Sequence, residues 1–205
     1  MTVLILVVCI SFLIMYKSFF IVTYINKKDC QDMDHGVKRK ILISIIPSII
    51  NSILFIKNGL SFDFFSYFII IIFITMIAYI DYCTKYVYEI ISIPMIIISA
   101  IICTINLIMG NIDLYTLITI FIISMMLLLF SKLNYIGEGD VEVFISLSLV
   151  MSKYNILPII NIILSLGISG IVGILLLITR RIGLKYRKAL CPSIALSSYI
   201  LLILI

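Results

Sequence analysis

Long apolar runs alternate with short polar segments along the whole 205-residue chain. A helix needs about 20 residues to cross the hydrocarbon of a bilayer, and most of the runs approach that length. They lack the strict apolar–polar alternation of membrane barrel strands, and a backbone in lipid must satisfy its own hydrogen bonds. The pattern therefore predicts an all-α, polytopic membrane protein of about eight transmembrane helices, forming a single membrane-embedded domain over residues 1–205. The predicted helices lie near residues 1–25, 41–56, 64–80, 90–109, 114–130, 141–151, 156–179 and 194–205.

Composition excludes an ordinary soluble domain. The chain is 63% hydrophobic and only 12% charged, whereas about a quarter of the residues in a typical soluble domain are charged. The net charge of +5 raises the question of nucleic-acid binding. The basic residues, however, lie in short segments between apolar runs, where lipid headgroups and topology account for them. We therefore expect the lipid bilayer as a partner and no nucleic acid.

Basic residues also predict the orientation, because Lys and Arg near helix ends favour the cytoplasm. With eight crossings, twelve of the 15 Lys and Arg residues fall on one side of the membrane. Only Lys57 and Lys153 fall on the other side, and Lys17 lies inside the first run. This asymmetry holds only if the short run at 141–151 crosses. The pattern predicts both termini outside and the twelve-residue side in the cytoplasm.

Candidate metal ligands are sparse. The cysteines form no CxxC pair. The single histidine, His35, has only the isolated Cys30 near it, which is not the spacing of a metal site. Neither a zinc site nor a disulfide framework is indicated, and we expect no metal and no cofactor. A different pattern recurs in the seventh run, where Gly167, Gly170 and Gly173 predict close contact with another helix.

Two aspartates stand out once the topology is drawn. Asp81 closes the third predicted helix and Asp140 opens the sixth, both on the cytoplasmic side. An ionisable residue at the edge of hydrocarbon is costly and suggests function. Each has an alternative reading: Asp81 as a residue that merely ends an apolar helix, and Asp140 as a helix N-cap favoured by the dipole.

As a pair, the aspartates suggest a particular chemistry. Two carboxylates that share one proton in a poorly solvated site can act as base toward water and as acid toward a carbonyl. Peptide hydrolysis requires both roles. Gly137 and Gly139 precede Asp140, and glycines let a loop adopt positive φ and leave room for an approaching substrate backbone. The sequence thus predicts an aspartic endopeptidase.

Three segments give the chain its resemblance to a known family. Residues 78–82 read Ala-Tyr-Ile-Asp-Tyr, residues 137–141 read Gly-Glu-Gly-Asp-Val, and residues 191–196 read Cys-Pro-Ser-Ile-Ala-Leu. The chain resembles the type IV prepilin peptidases, the bacterial branch of the GxGD membrane aspartyl peptidases, over about its last 130 residues. The resemblance implies that Asp81 and Asp140 are the catalytic pair, with Gly137 and Gly139 supporting them.

The resemblance also implies a substrate and a location. Members cut the short basic leader from prepilins and pseudopilins on the cytoplasmic face of the bacterial cell membrane. Acidic residues near that face would attract the leader's positive charge, and the candidates are Glu89, Glu138 and Glu142. Tyr88 and Glu142 depart from the family pattern, which often has proline and lysine there. The segment 26–40 has only Cys30 where many members carry a cysteine-containing domain linked to N-methylation, so the resemblance does not extend to that activity.

Other functions remain open from sequence. A small transporter or channel would use Asp81 and Asp140 to bind a cation or proton, although Lys17 is the only further ionisable candidate within a run. A noncatalytic pilus or secretion assembly component would keep the fold for binding pilins. A presenilin-like protease would require Pro-Ala-Leu, which the segment around Pro192 lacks. The sequence leaves the oligomeric state and the particular prepilin undetermined.

Overall fold

The computed structural model of the chain describes residues 2–28, 36–179 and 189–205, and helices account for most of these ranges. No strand occurs among the described residues, so the protein is an all-helical membrane protein, as the hydrophobic pattern predicts. Cys30, His35 and the basic residues of 180–188 lie outside the described ranges. The helices are α1 (Thr2–Lys28), α2 (Val37–Asn58), α3 (Phe62–Thr84), α4 (Glu89–Ile108), α5 (Leu114–Lys132), α6 (Glu138–Val150), α7 (Leu157–Ile178) and α8 (Cys191–Leu204).

Six of these helices are long and apolar enough to cross a bilayer, namely α1 to α5 and α7. The other two, α6 and α8, have 13 and 14 residues. At about 1.5 Å per residue they measure roughly 20 Å, which is less than the hydrocarbon thickness. Both are largely enclosed by other helices, and a 3₁₀ turn at Met151–Lys153 continues the path of α6.

Helix α3 forms the centre of the molecule. Of its most apolar stretch, 67% is buried, compared with 22% for α5 and 11% for α7. It contacts α1, α2, α4, α6 and α8. The outer helices α5 and α7 present exposed leucine, isoleucine and phenylalanine side chains, as expected of surfaces in contact with lipid.

Buried polar side chains connect the helices at a few points. Asn51 of α2 donates from Nδ2 to Ser11 Oγ of α1 at 2.9 Å. Between α7 and α8, the Ser197 hydroxyl donates to Asn161 Oδ1 at 2.6 Å. Thr75 of α3 shares a hydrogen bond with Tyr199 of α8 at 2.6 Å. Interhelical hydrogen bonds of this kind stabilise packing where neighbouring helices and lipid are equally apolar.

The two ends of α3 carry different polar groups. At its start, Asp63 pairs with Lys153 at 2.7 Å, and this hydrogen bond to Asp63 raises the pKa of the Lys153 ammonium. Asp81 lies 18 residues further along the same helix, which corresponds to about 27 Å. The ion pair and Asp81 therefore lie at opposite ends of the bundle. Lys57 and Lys153, which the charge pattern groups together, are both away from Asp81.

The expected helix contact at the α7 glycines is absent from the described part of the chain. A Cβ added at Gly167, Gly170 or Gly173 would meet nothing within 4 Å. The prediction was wrong because i, i+3 spacing of small residues permits close packing without requiring it, and α7 lies at the edge of the bundle.

Candidate active site

Asp81 lies in the last turn of α3, three residues before its end at Thr84. The helix stops because Lys85 adopts a left-handed conformation, with φ of 61°, and its N–H donates to the Asp81 carbonyl at 2.8 Å. Although Asp81 is close to the helix end, it is only 5% exposed. Its position therefore differs from that of a solvated residue that merely ends an apolar helix.

Asp140 lies in the first turn of α6, at the third helical position. Gly137, with extended backbone (φ −66°, ψ 142°), is the N-cap residue, and no side chain caps this helix. The N-cap alternative for Asp140 is therefore wrong. The helix also begins three residues before the predicted start at 141, because the glycines at 137 and 139 give this segment the composition of a loop.

Gly139 does not provide the positive-φ loop conformation that the sequence suggested. It is helical, and neither Gly137 nor Gly139 is among the glycines with positive φ. The lack of a side chain instead admits Val87, from the connection between α3 and α4. A Cβ added at Gly139 would lie 2.9 Å from Val87 Cγ1 and closer still to Val87 Cβ. The chain segment that packs closely against Gly139 is therefore this connection.

Cys191, the first residue of α8, contacts both carboxylates. Its backbone N–H donates to Asp81 Oδ2 at 2.9 Å, and its thiol donates to Asp140 Oδ1 at 3.1 Å. The side chain of Cys191 is fully buried, with an exposed fraction of 0%. Sequence reasoning included this residue only as part of a proline-containing segment and read its side chain as apolar. The signal that was available is Pro192, which fixes the start of α8 at the site.

The three residues form one compact cluster at one end of the bundle. A ligand atom from each of Asp81, Asp140 and Cys191 lies within 4.8 Å of the others. The structure thus brings together the two aspartates that the sequence singles out, from helices far apart in the chain. Such a set has enough oxygen and sulfur atoms to approach one cation, and two carboxylates at this distance also suit the sharing of a single proton.

The acidic residues near the cluster differ in their surroundings. Glu142 is half-buried and accepts a hydrogen bond from the Ser92 hydroxyl, which joins α6 to α4. Glu89 and Glu138 are exposed. Tyr88 is the N-cap residue of α4 and is half-buried. The two positions that depart from the family pattern, Tyr88 and Glu142, are therefore part of the packing between the helices that surround the site.

Comparison with protein families gives the decisive observation. The family model described as the type IV leader peptidase family matches residues 68–178, which is more than half of the chain. The chain belongs to the type IV leader peptidase family. It is therefore a membrane-embedded peptidase, and the resemblance seen in the sequence is confirmed. A search of curated proteins and a search of solved structures found no match to the chain.

The matched region of this leader peptidase runs from α3 to the end of α7. It includes Asp81, Gly137, Gly139 and Asp140. It stops before α8, so the contacts of Cys191 are known from the geometry of the chain itself.

Proposed function

We propose that this peptidase is an aspartic endopeptidase that removes the short basic leader from type IV prepilins or pseudopilins, with Asp81 and Asp140 as its catalytic pair. One observation carries the proposal: carboxylates from the end of α3 and the start of α6 converge within 4.8 Å of each other. Asp81 is buried and Asp140 half-buried, so this pair lies in a poorly solvated position at the edge of the bundle.

The pair suits acid–base hydrolysis. Two carboxylates this close do not readily ionise together, so one proton is shared between them. The ionised carboxylate takes a proton from a water molecule, whose oxygen attacks the carbonyl carbon of the scissile peptide bond. The protonated carboxyl donates to the carbonyl oxygen. The tetrahedral intermediate then collapses and the C–N bond breaks: the leaving amine takes the proton that the first carboxylate received from water, and the second carboxylate takes back the proton from the former carbonyl oxygen.

The depth of the pair suits a substrate that is partly in the membrane. Asp81 is three residues, or about 4.5 Å, from the end of α3. A prepilin-type substrate has a basic leader followed by an apolar helix. If the helix lies in the bilayer beside the peptidase, its junction with the leader is held near the headgroups at the same depth. The charge asymmetry of the sequence supports the cytoplasmic face as the side of cleavage.

Exposed acidic groups support recognition of a basic leader. Glu89, at the start of α4, and Glu138, at the start of α6, are both exposed near the pair. Opposite charges attract over roughly 10 Å at moderate ionic strength, which suits a flexible basic peptide. We assign Glu142 a different role, because it accepts a hydrogen bond from Ser92 and joins two helices.

The test is cleavage of a membrane-inserted, prepilin-type substrate with a basic leader that ends in glycine, followed by gel shift. We expect Asp81→Asn and Asp140→Asn each to lower the rate by at least about 100-fold, since each removes a carboxylate needed for proton transfer. Asp113→Asn is the matched control. Asp113 is an exposed N-cap residue at the start of α5 whose side chain does not cap the helix, and this variant should cleave at the wild-type rate.

Two results would contradict the proposal in different ways. Full cleavage by either Asn variant, in membranes that contain normal amounts of protein, would show that the carboxylate is not catalytic. An uncut substrate with the wild-type protein would contradict prepilin-type specificity, as expected of a noncatalytic assembly component.

A further inference from the structure

Cys191 donates hydrogen bonds to both Asp81 and Asp140. The two bonds come from different parts of the residue: the backbone N–H reaches Asp81 Oδ2, and the thiol reaches Asp140 Oδ1. Because it begins α8, the position of this whole helix determines where both donors lie. Pro192, at one of the first two positions of α8, has a fixed φ that restrains the backbone next to the site.

The two donors counter an electrostatic problem. In the proposed pair one carboxyl group is protonated and the other is ionised, and the single negative charge lies in a poorly solvated site. A hydrogen bond to each side chain replaces part of the lost solvation and restricts the orientations that the two side chains can adopt. A thiol is a weak donor, but its hydrogen bond to an ionised acceptor is stronger than one to a neutral acceptor.

We infer that Cys191 is a positioning residue of the peptidase: its thiol orients the Asp140 carboxylate toward Asp81, while its backbone N–H holds the Asp81 carboxylate. This inference rests on the proposed function for its kinetic consequence. The family match does not include residue 191, so the role follows from the contacts of this chain.

A second buried cysteine provides the comparison that separates this role from simple packing. Cys103, on α4, is 6% exposed, and no hydrogen bond of its thiol occurs within the described residues. Its substitution by alanine removes a buried sulfur atom and leaves the carboxylates unaffected. Cys103→Ala and Cys191→Ala should therefore have similar effects on stability but different effects on catalysis.

The kinetic test uses the prepilin-type substrate described above with wild type, Cys191→Ala, Cys191→Ser and Cys103→Ala. Alanine keeps the backbone N–H to Asp81 and removes the thiol that donates to Asp140. We expect kcat about tenfold lower with KM within about twofold, because the thiol acts on the catalytic carboxylate and does not bind the substrate. Serine keeps a donor at this position and should restore kcat to within about threefold of wild type. Cys103→Ala should keep the wild-type kcat.

The kinetic outcomes are distinguishable from failure of the proposed function. If wild type cleaves the substrate and Asp140→Asn does not, but Cys191→Ala cleaves at the wild-type rate, the positioning role of Cys191 is wrong. Asp81 and Asp140 then remain the proposed catalytic pair. A serine variant as slow as the alanine variant, or a loss that appears only in KM, would also overturn the role. If wild type fails to cleave, the proposed specificity is wrong, and the role is decided by the next measurement.

Infrared spectroscopy reads the thiol directly and needs no substrate. In a variant with Cys9, Cys30, Cys83 and Cys103 replaced by serine, the remaining S–H stretch belongs to Cys191. We expect its frequency to be lowered by the hydrogen bond and to rise toward that of an unbonded thiol in Asp140→Ala, but to change much less in Asp113→Ala. A stretch unaffected by Asp140→Ala would overturn the inference.

Discussion

At the scale of single residues, the contact between Gly139 and Val87 links the two segments that carry the aspartates. Val87 lies in the connection that follows Asp81, and Gly139 immediately precedes Asp140. The missing side chain at 139 lets this connection approach the first turn of α6. The separation of the two carboxylates therefore depends on a space that a methyl group would fill.

We predict that Gly139→Ala lowers activity more than tenfold and costs about 1–3 kcal/mol of stability, as overpacking of a well-packed site does. The new Cβ would be nearest to Val87 Cβ, a branched carbon close to the backbone, so the connection must move. Adding Val87→Gly should recover part of the activity, whereas adding Val87→Ala should not, because alanine retains that carbon. Cleavage rate and thermal unfolding in detergent measure both effects.

Gly167→Ala is the matched control for this series. A Cβ at Gly167 would meet nothing within 4 Å, and alanine favours a helix over glycine by about 0.5–1 kcal/mol. This variant should be fully active and at least as stable as wild type. Normal activity of Gly139→Ala would contradict the close approach of Val87.

The site residues differ in how well their roles can be predicted from sequence. Asp81 and Asp140 are conspicuous because charged groups at the edges of apolar runs need an explanation. Cys191 carries no such signal, since a cysteine at the start of an apolar run has the pattern of a small hydrophobic residue. Its two hydrogen bonds depend on where α8 packs against α3, which the pattern of one chain does not specify.

At the scale of helices, a polar link joins α7 to α8, the helix that carries Cys191. Asn161 Oδ1 accepts from Ser197 at 2.6 Å and from Ser198 at 3.3 Å. Both hydroxyls also donate to the Ile194 carbonyl within their own helix. The serines therefore keep a partner when Asn161 is replaced, which limits the cost.

We predict a coupling energy of about 0.6 kcal/mol between Asn161→Ala and Ser197→Ala in a double-mutant cycle, typical of interhelical hydrogen bonds in membranes. Unfolding in mixed micelles measures it. Activity should fall by less than about threefold, since the link is away from the carboxylates. A coupling near zero would show that this link does not hold α8 against α7.

Helix positions follow closely from hydrophobic runs, because lipid requires each crossing segment to satisfy its own backbone. The departure at the site is α6, whose first turn contains Glu138, Gly139 and Asp140. Glycine usually disfavours a helix, so the motif has the composition of a loop. Packing against Val87 makes glycine acceptable here, and this tertiary contact is not visible in the local sequence.

At the scale of the whole molecule, the bundle has one end with the aspartates and another with the ion pair between Asp63 and Lys153. Charge counting predicts which loops share a side, and in the structure Lys57 and Lys153 both lie toward the end opposite Asp81. The arrangement of helices around α3 was not predictable, because apolar runs specify crossings but not neighbours.

Cross-linking tests the central claim, that α3 and α6 bring Asp81 and Asp140 together at one end of the membrane. All native cysteines are replaced by serine, cysteines are introduced as Asp81→Cys and Asp140→Cys, and a protease site is inserted between α4 and α5. A short cross-linker with two thiol-reactive groups should then hold the two cleaved halves together on a denaturing gel. The pair Asp63→Cys and Asp140→Cys should not cross-link, since Asp63 is about 27 Å from Asp81 along α3. Equal cross-linking of both pairs, or none for Asp81→Cys with Asp140→Cys in folded protein, would contradict the account.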